Sequence, residues 1–510
     1  MSDAPSGPGA SRRGAALVFA LALAARLAVV AWAAGRIPPV ADGTFYHTIA
    51  GRIANGLGYT WLWPDGAVTY AGHYPVGYPA LVGAAYAVLG PYPPAAMLVN
   101  ALLGALAAVA AYALAGRAGG RRVAGIAGVL VALHPGLLAY TPAMMTEGVT
   151  AALVTCAAWA ALGRADRSAE PGARPRAERS PMAGAVVRSE RSLIARAVVR
   201  AVIAGLVVGV ATLVRPQSLV LAPIVGWLAT WTIDAASARR AAMRRIAIAA
   251  VATIAALAVC APWTARNCVR MKRCALVSYN GGWNLLIGAD DAATGTWSEI
   301  KVPPECREVF DEAEKDVCFG AAARRYIAEH PSKWLALAPK KLAATFDYAG
   351  AGGWYLHAAN PAAFSDGAKT ASGAIETVFE RVALILALLA AAREPWRRRR
   401  AWADRATLAV IAIGLIFSPI LNVWIAYAAL AAALSAAAFR SWPGPRALLP
   451  GSAAAVIASL LVTHAVFFGA GRYSLVAFPL VTAAAALAFA PRSKEPAEAG
   501  NDATSARGAE

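Results

Sequence analysis

Charged residues are scarce in this 510-residue chain: they make up 15% of it, whereas a typical soluble domain has about a quarter. Acidic residues are the scarcer sign, with 29 Asp and Glu against 48 Lys and Arg. Together with a mean hydropathy of +0.52, this shortage excludes an ordinary soluble globular protein. Histidine and cysteine are also few, six of each, and no group of them has the spacing of a metal-ligand set. The sequence therefore predicts no obligatory metal or other cofactor, with a divalent metal as the open alternative.

The chain is instead rich in long apolar runs. A transmembrane helix needs about 20 such residues. Twelve runs are predicted to span the membrane, at 14–34, 94–116, 122–139, 146–163, 198–214, 217–234, 246–262, 375–392, 405–420, 422–439, 450–468 and 474–490. The first run is alternatively a signal peptide, although it is longer than a usual signal core. The predicted fold class is an all-α polytopic membrane protein with about 12 transmembrane helices.

The positive charge is concentrated in four segments, at 116–122, 163–180, 237–245 and 393–405. With the N-terminus inside, the predicted spans place all four on the cytoplasmic side of a plasma (inner) membrane, as the positive-inside rule requires. A nucleic-acid partner would need basic residues interleaved with aromatics on a soluble surface. The basic segments are therefore interpreted as topological signals, and no nucleic-acid partner is predicted.

This topology gives a domain organisation. The parts are a cytoplasmic tail 1–13, a transmembrane core 14–262 with a first external loop 35–93 and a basic cytoplasmic loop 164–197, an extracytoplasmic loop 263–374, C-terminal transmembrane helices 375–490, and a disordered tail 491–510. The extracytoplasmic loop holds four cysteines on the oxidising side, which favours disulfides. Local pairing, Cys268 with Cys274 and Cys306 with Cys318, is preferred among three connectivities, and four unpaired residues are the alternative.

One acid, Asp42, lies just after the first apolar run. From Phe45 onward, Tyr46, Ile49 and Ile53 recur at helical spacing, which predicts an amphipathic helix in the outer membrane interface. Asp42 is then either the N-cap of that helix or an acid directed into a cavity between the helices and the external loop.

Several stretches together resemble the GT-C glycosyltransferases of the protein-mannosyltransferase and aminoarabinose-transferase type. They are ADGTFYHTIAGRIANGLGYT (41–60), HYPVGYPALVGAAYAVLG (73–90), HPGLLAYTPAMMTEGVTAAL (134–153), GVATLVRPQSLVLAP (209–223), APWTARNCVRMKRCALVSYNGGWNLLIGADDAATGTW (261–297), AARRYIAEHPSKWLALAPKKLAATF (322–346) and HAVFFGAGRYSLVAFPLVTAAAA (464–486). The second departs from the group's double proline before GYP. The resemblance implies a GT-C fold with interfacial helices, a large external loop, and a sugar donor carried on polyprenyl phosphate.

The chemistry agrees with a lipid-linked donor. An external site has no access to cytosolic nucleotide sugars, so the activated sugar must be membrane-borne. Because its leaving group is already a phosphate, the acid of a glycosidase carboxylate pair is not needed. One base for the acceptor hydroxyl and cations for the departing phosphate suffice. The predicted reaction is sugar transfer, with inversion, to an envelope lipid, glycan or protein.

The predicted site residues lie at the outer ends of spans. The catalytic pair is Asp42, as the base, and Glu147, which positions the acceptor or the donor sugar; Arg472, Tyr473 and Arg215 hold the donor phosphate; Tyr46, His47, Tyr78, Asn280 and Trp283 line the substrate cleft. The alternatives are a helix-start acid for Glu147, a headgroup anchor for Arg472 and a snorkelling side chain for Arg215. Lys340 and Lys341 are interpreted as a solvated helix face. Arg26, inside the first span, is expected to face the bundle.

Three other functions remain open at this point. A secondary transporter or flippase is compatible with twelve spans, but coupling sites lie near the bilayer midplane, whereas these acids lie at helix ends. A non-catalytic lipid-binding scaffold would not need Asp42, Glu147 and Arg472 together. Within the enzymes, a ligase for lipid-linked oligosaccharides is the alternative.

Overall fold

The computed structural model describes residues 10–163, 183–233, 237–399 and 401–491. The α-helices are α1 Arg12–Ala33, α2 Asp42–Ala54, α3 Gly77–Leu89, α4 Pro93–Gly119, α5 Arg121–Ala132, α6 Pro135–Ala139, α7 Thr146–Leu162, α8 Ala183–Val214, α9 Ala222–Leu228, α10 Ala238–Arg270, α11 Gly281–Ile287, α12 Glu312–Glu329, α13 Pro331–Phe346, α14 Ala351–Ala359, α15 Asp366–Arg397, α16 Trp402–Phe417, α17 Trp424–Arg440, α18 Leu448–Val466 and α19 Phe478–Ala485. Short 3-10 helices cover Pro216–Leu221, Pro304–Cys306, Pro445–Ala447, Gly471–Ala477 and Ala486–Phe489. Two strands, β1 Thr60–Leu62 and β2 Val68–Tyr70, pair antiparallel with Thr60 opposite Tyr70.

The protein is a multi-pass membrane protein, and every predicted span contains a helix. Among the described residues, seven helices are long and apolar enough to cross a membrane, and four shorter apolar helices accompany them. The predicted count of about twelve spans is therefore not confirmed. Helices such as α7 and α17 have 17 residues each, which rise only about 26 Å against a hydrocarbon core of about 30 Å. The fold also includes α3, which was not predicted as a span.

Small residues let the spanning helices approach closely, as is usual where helices pack within a membrane. Gly205 of α8 is an example, because a Cβ there would lie 2.3 Å from the Ala252 carbonyl oxygen of α10. Arg26 faces the bundle as expected: it is 1% exposed, and its Nη1 donates to the Ala132 carbonyl at 3.0 Å. Its charge is thus solvated by backbone carbonyls inside the core.

The layer formed by the predicted external loops, called the external layer below, is built mostly from helices. α10 extends to Arg270, past the predicted boundary at 262, and α11–α14 occupy much of the predicted loop 263–374. The disulfides are Cys268–Cys274 and Cys306–Cys318, which confirms the predicted local pairing. Each joins cysteines close in sequence, so each stabilises a short loop of the external layer rather than linking distant helices.

Parts of the predicted organisation lie outside the described residues. These are most of the tail 1–13, residues 164–182 of the basic loop 164–197, and nearly all of the tail 491–510. The remainder of the predicted basic loop belongs to α8, which begins at Ala183 rather than at the predicted 198.

Candidate active site

A cavity of about 370 Å³ lies where α2, α7, α11 and the C-terminal end of α18 meet. The turn at Arg215–Gln217 and the 3-10 helix Gly471–Ala477 complete its wall. Eight of the ten predicted site residues line it: Asp42, Tyr46, Glu147, Arg215, Asn280, Trp283, Arg472 and Tyr473. The fold therefore brings together predicted site residues from five distant stretches of the chain.

Two predicted cleft residues lie elsewhere. His47 is on the other side of α2, because its Nδ1 is hydrogen bonded to the Tyr86 hydroxyl at 2.7 Å. Tyr78 is completely buried behind the cavity wall, with its ring packed edge-on against Tyr46 at 5.4 Å between centroids. Both support the wall through Tyr46 and α3 without facing the cavity.

Asp42 is the first residue of α2, and no side-chain bond caps this helix. Its Oδ1 accepts a hydrogen bond from the Tyr74 hydroxyl at 2.9 Å, and its Oδ2 lies 3.1 Å from Arg472 Nη2. The preceding Ala41 has φ +50°, which is unfavourable for a residue with a Cβ and turns the chain into the helix. The carboxylate therefore faces the cavity and does not serve as the N-cap.

Glu147 lies in the first turn of α7, and its side chain is only 2% exposed. Oε1 lies 2.7 Å from Arg215 Nη1, and Oε2 accepts from the Tyr140 hydroxyl at 2.9 Å. A buried carboxylate needs such partners to offset the loss of hydration. The helix N-terminus adds favourable partial positive charge. Both the helix-start interpretation and a role in the cavity fit this position.

Arg472 joins the two acids. Its Nη2 contacts Asp42 at 3.1 Å, and its Nε lies 3.3 Å from Glu147 Oε1. The neighbouring Tyr473 ring lies under the Arg215 guanidinium, 4.8 Å away, which favours the cation through its π face. The Arg472 guanidinium lies 5.4 Å from the centre of the same ring, so both cations contact Tyr473 and approach Glu147 Oε1. An anion that enters the cavity meets two guanidinium groups held in fixed positions.

Burial shifts the pKa values of the two groups beside Asp42, Tyr74 and His73. Burial, helped by the negative charge of Asp42, raises the pKa of Tyr74, so its hydroxyl remains a donor to that carboxylate. Burial lowers the pKa of His73, which keeps its ring neutral at physiological pH. Asp42 is the carboxylate of this wall, and the Tyr74 hydroxyl directs its proton toward it.

Several residues of the site were not among the predicted site residues: His73, Tyr74, Tyr140, Gln217, His464 and Glu312. Tyr74 lies in the HYPVGYP stretch, so the motif itself was a usable signal. Glu312 had no such signal in the sequence, because its partners are far away along the chain. Its carboxylate accepts hydrogen bonds from the backbone N–H groups of Gly72 and His73 at 2.9 and 2.7 Å. Within the described residues, no three His, Cys, Asp or Glu side chains lie together as a possible metal site.

Lys340 and Lys341 were both expected on a solvated helix face, and the expectation is wrong for Lys341. Lys340 is exposed, but Lys341 is completely buried, and its Nζ donates to the Val466 carbonyl at 3.0 Å. Burial lowers the pKa of Lys341 to about 8. The last turn of α18 offers unpaired carbonyls, which attract a cation and draw this lysine inward.

Comparisons with known proteins give structural likenesses only. No family model matches the chain, and no curated protein does. The apo oligosaccharyltransferase of Archaeoglobus fulgidus is similar over 94% of this chain and 50% of its own, with 14% identity and a TM-score of 0.44. ArnT from Cupriavidus metallidurans, bound to undecaprenyl phosphate, is similar over 92% of this chain and 78% of its own, with 15% identity and a TM-score of 0.39. The chain thus spans about half the length of the archaeal enzyme. With both scores below 0.5, a function has to rest on the site itself.

Proposed function

We propose that this protein is a GT-C-type glycosyltransferase that moves a sugar from polyprenyl phosphate to an acceptor hydroxyl at the extracytoplasmic membrane face. The observation that carries the proposal is the Arg472 bridge between Asp42 and Glu147, beside Arg215, at the ends of apolar helices. It supplies a base and two cations in one cavity, which is what transfer from a phosphate leaving group requires.

In the proposed reaction, the acceptor oxygen attacks the anomeric carbon while Asp42 takes the hydroxyl proton. The bond between the anomeric carbon and the phosphate oxygen breaks, and polyprenyl phosphate leaves with the bonding electrons. Arg472 and Arg215 stabilise the negative charge that grows on that oxygen. One direct displacement inverts the configuration at the anomeric carbon.

The two carboxylates have different roles because their surroundings differ. Glu147 is buried and bonded to Arg215 and Tyr140, so it fixes the cations. Asp42 is 27% exposed on its side chain and open to the cavity. A donor phosphate competes with Asp42 for Arg472, which frees the carboxylate to act on the acceptor. Arg472 thereby couples donor arrival to base release.

The partners of the protein, on this proposal, are a polyprenyl-phosphate sugar, membrane lipids and an envelope acceptor, and its location is the plasma membrane. Asn280 and Trp283, at the start of α11, face the same cavity and are suited to contact the acceptor or the sugar. No obligatory metal is proposed, since two guanidinium groups stand where a cation would be needed.

Lipid extraction from cells that lack the protein tests the proposed donor. The stalled donor should accumulate as a polyprenyl-phosphate sugar, whose sugar identifies the substrate. Wild-type protein and Asp65→Asn should clear it, because Asp65 is an exposed acid of the β1–β2 turn. Asp42→Asn should not clear it. An unchanged lipid profile in the deletion would contradict the proposal and favour a transporter or flippase.

A further inference from the structure

A second, larger cavity lies on the membrane-facing side of the bundle. This groove has a volume of about 710 Å³ and is formed by α9, α10 and α18. Its lining is apolar and includes Ile224, Trp227, Ile246, Ile254 and Gly451. From Ile246 to Ile254 it follows α10 for about 12 Å, most of the thickness of one leaflet.

The groove lies in the leaflet opposite the candidate active site. Trp263, near the other end of α10, packs against Tyr59 beside the external hairpin. Ile246 precedes Trp263 by 17 positions, a distance of about 26 Å along the helix. The groove therefore cannot share a headgroup with the active-site cavity, and it is a separate feature of the molecule.

At one end of the groove, the guanidinium of Arg245 lies beside the rings of Trp227 and Trp442. The rings of Trp227 and Trp442 stack with centroids 6.3 Å apart. The Arg245 guanidinium lies 6.0 Å from the first ring and 5.4 Å from the second. Its Nη2 donates to the Ile233 carbonyl at 3.1 Å. Its Nε is buried, and none of the described residues accepts a hydrogen bond from it.

Arg245 is half-buried, so part of its side chain stays open at this end of the groove. Arg and Trp together at the end of an apolar groove mark the depth of lipid headgroups. Arg239 and Arg240, exposed at the start of α10, add positive charge on the same side. Such basic groups attract anionic lipid.

We propose that this groove is a binding site for a phospholipid with an anionic headgroup. One acyl chain occupies the apolar groove, and the headgroup phosphate accepts hydrogen bonds from Arg245. The aromatic pair holds the guanidinium in place at the membrane interface. The site is independent of the proposed transferase activity, because none of its residues lines the active-site cavity.

Native mass spectrometry of delipidated protein tests the site by counting bound lipid. Phosphatidylglycerol should bind to the full-length protein and phosphatidylcholine should bind at least tenfold more weakly. Arg245→Ala should weaken phosphatidylglycerol binding by about tenfold or more, as expected for loss of a charge-assisted hydrogen bond. Arg245→Lys should recover part of the affinity. Ala250→Trp, which fills the groove and keeps the charge, should also lose the lipid.

Arg399→Ala is the matched control. Arg399 also lies over a tryptophan ring, that of Trp396 at 5.3 Å, but at the end of α15 and away from the groove. It should bind phosphatidylglycerol like the wild type. Equal loss in Arg399→Ala, equal binding of the two phospholipids, or binding only of a polyprenyl phosphate would each overturn the proposal.

Discussion

At the scale of single residues, Arg472 links the two acids of the candidate site, Asp42 and Glu147. Asp42, Glu147, Arg215 and Arg472 come from four separate stretches, yet each could be picked out from the sequence because a charge at the end of an apolar run needs an explanation. What the sequence could not provide is the pairing. That one guanidinium reaches both acids, at 3.1 and 3.3 Å, depends on where helices far apart in the chain end.

Arg472→Ala should weaken donor binding as well as slow transfer, because in the proposed mechanism the guanidinium contacts the phosphate before and during its departure. A charge-assisted hydrogen bond contributes about 1.5–3 kcal/mol, so affinity for a polyprenyl-phosphate sugar should fall about 10- to 100-fold. Arg472→Lys should restore only part of it, since an ammonium lacks the fork of a guanidinium. Donor binding to the purified variants gives the answer, and unchanged affinity in both would remove Arg472 from the donor site.

At the scale of elements, α14 connects the segments that carry the two acids. The Tyr355 hydroxyl accepts hydrogen bonds from the backbone N–H of Val40 at 3.4 Å and of Met144 at 3.2 Å. Gly43 permits this approach, because a Cβ there would lie 2.9 Å from the same hydroxyl. The start of α14 is held in turn by Glu376, which accepts from the N–H of Gly353 at 3.3 Å. A helix of the external layer thus fixes the spacing between Asp42 and Glu147.

Tyr355→Phe should slow transfer and leave donor affinity nearly unchanged. The ring still packs against Tyr140, so the core persists, but two backbone segments lose a shared anchor. Small misplacements of catalytic groups cost up to about 100-fold in rate. Kinetics of the purified variant should show lower kcat with little change in donor KM. Tyr348→Phe, at an exposed tyrosine nearby, is the control and should behave as wild type. Equal kcat in the two variants would remove Tyr355 from this role.

Prediction from sequence succeeded where a pattern is local and failed where contacts are distant. Apolar runs located every predicted span on a helix, and close cysteines identified both disulfides. The positions of α14 and of Lys341 were missed, because both depend on partners far along the chain: Tyr355 is 315 residues from Val40, and Lys341 is 125 from Val466. The sequence shows that a charged residue lies near a helix end, but it does not show whether another helix covers that residue.

At the scale of the whole molecule, the described basic residues at the start of α10 and the end of α15 lie at the helix ends opposite the candidate site. Arg239 and Arg240 start α10, whereas Trp263 near its other end touches the external hairpin region. Arg399 likewise follows α15, whose first residues belong to the external layer. The positive-inside rule then predicts that the site faces the extracytoplasmic side, which remains a prediction.

An impermeant maleimide should label intact cells according to this orientation. A cysteine introduced at Asp65, in the external hairpin turn, should react, whereas cysteines introduced at Arg399 or at position 175 should react only after the membrane is opened. The native Cys156 and Cys260 lie within helices α7 and α10, and their removal gives the background for the comparison. Labelling at position 175 in intact cells would reverse the orientation and contradict an extracytoplasmic site.

The central claim is that Asp42 removes the acceptor proton during sugar transfer from a lipid phosphate. Asp42→Asn keeps the size of the side chain and can still accept a hydrogen bond from Tyr74, but it lacks the basicity. A positioned base contributes about 10²- to 10⁴-fold. In proteoliposomes supplied with the donor lipid that accumulates in the deletion strain, turnover by Asp42→Asn should fall by that factor while donor binding persists. Near-normal turnover would contradict the account, reduce Asp42 to a structural residue of α2, and make Glu147 the leading candidate for the base.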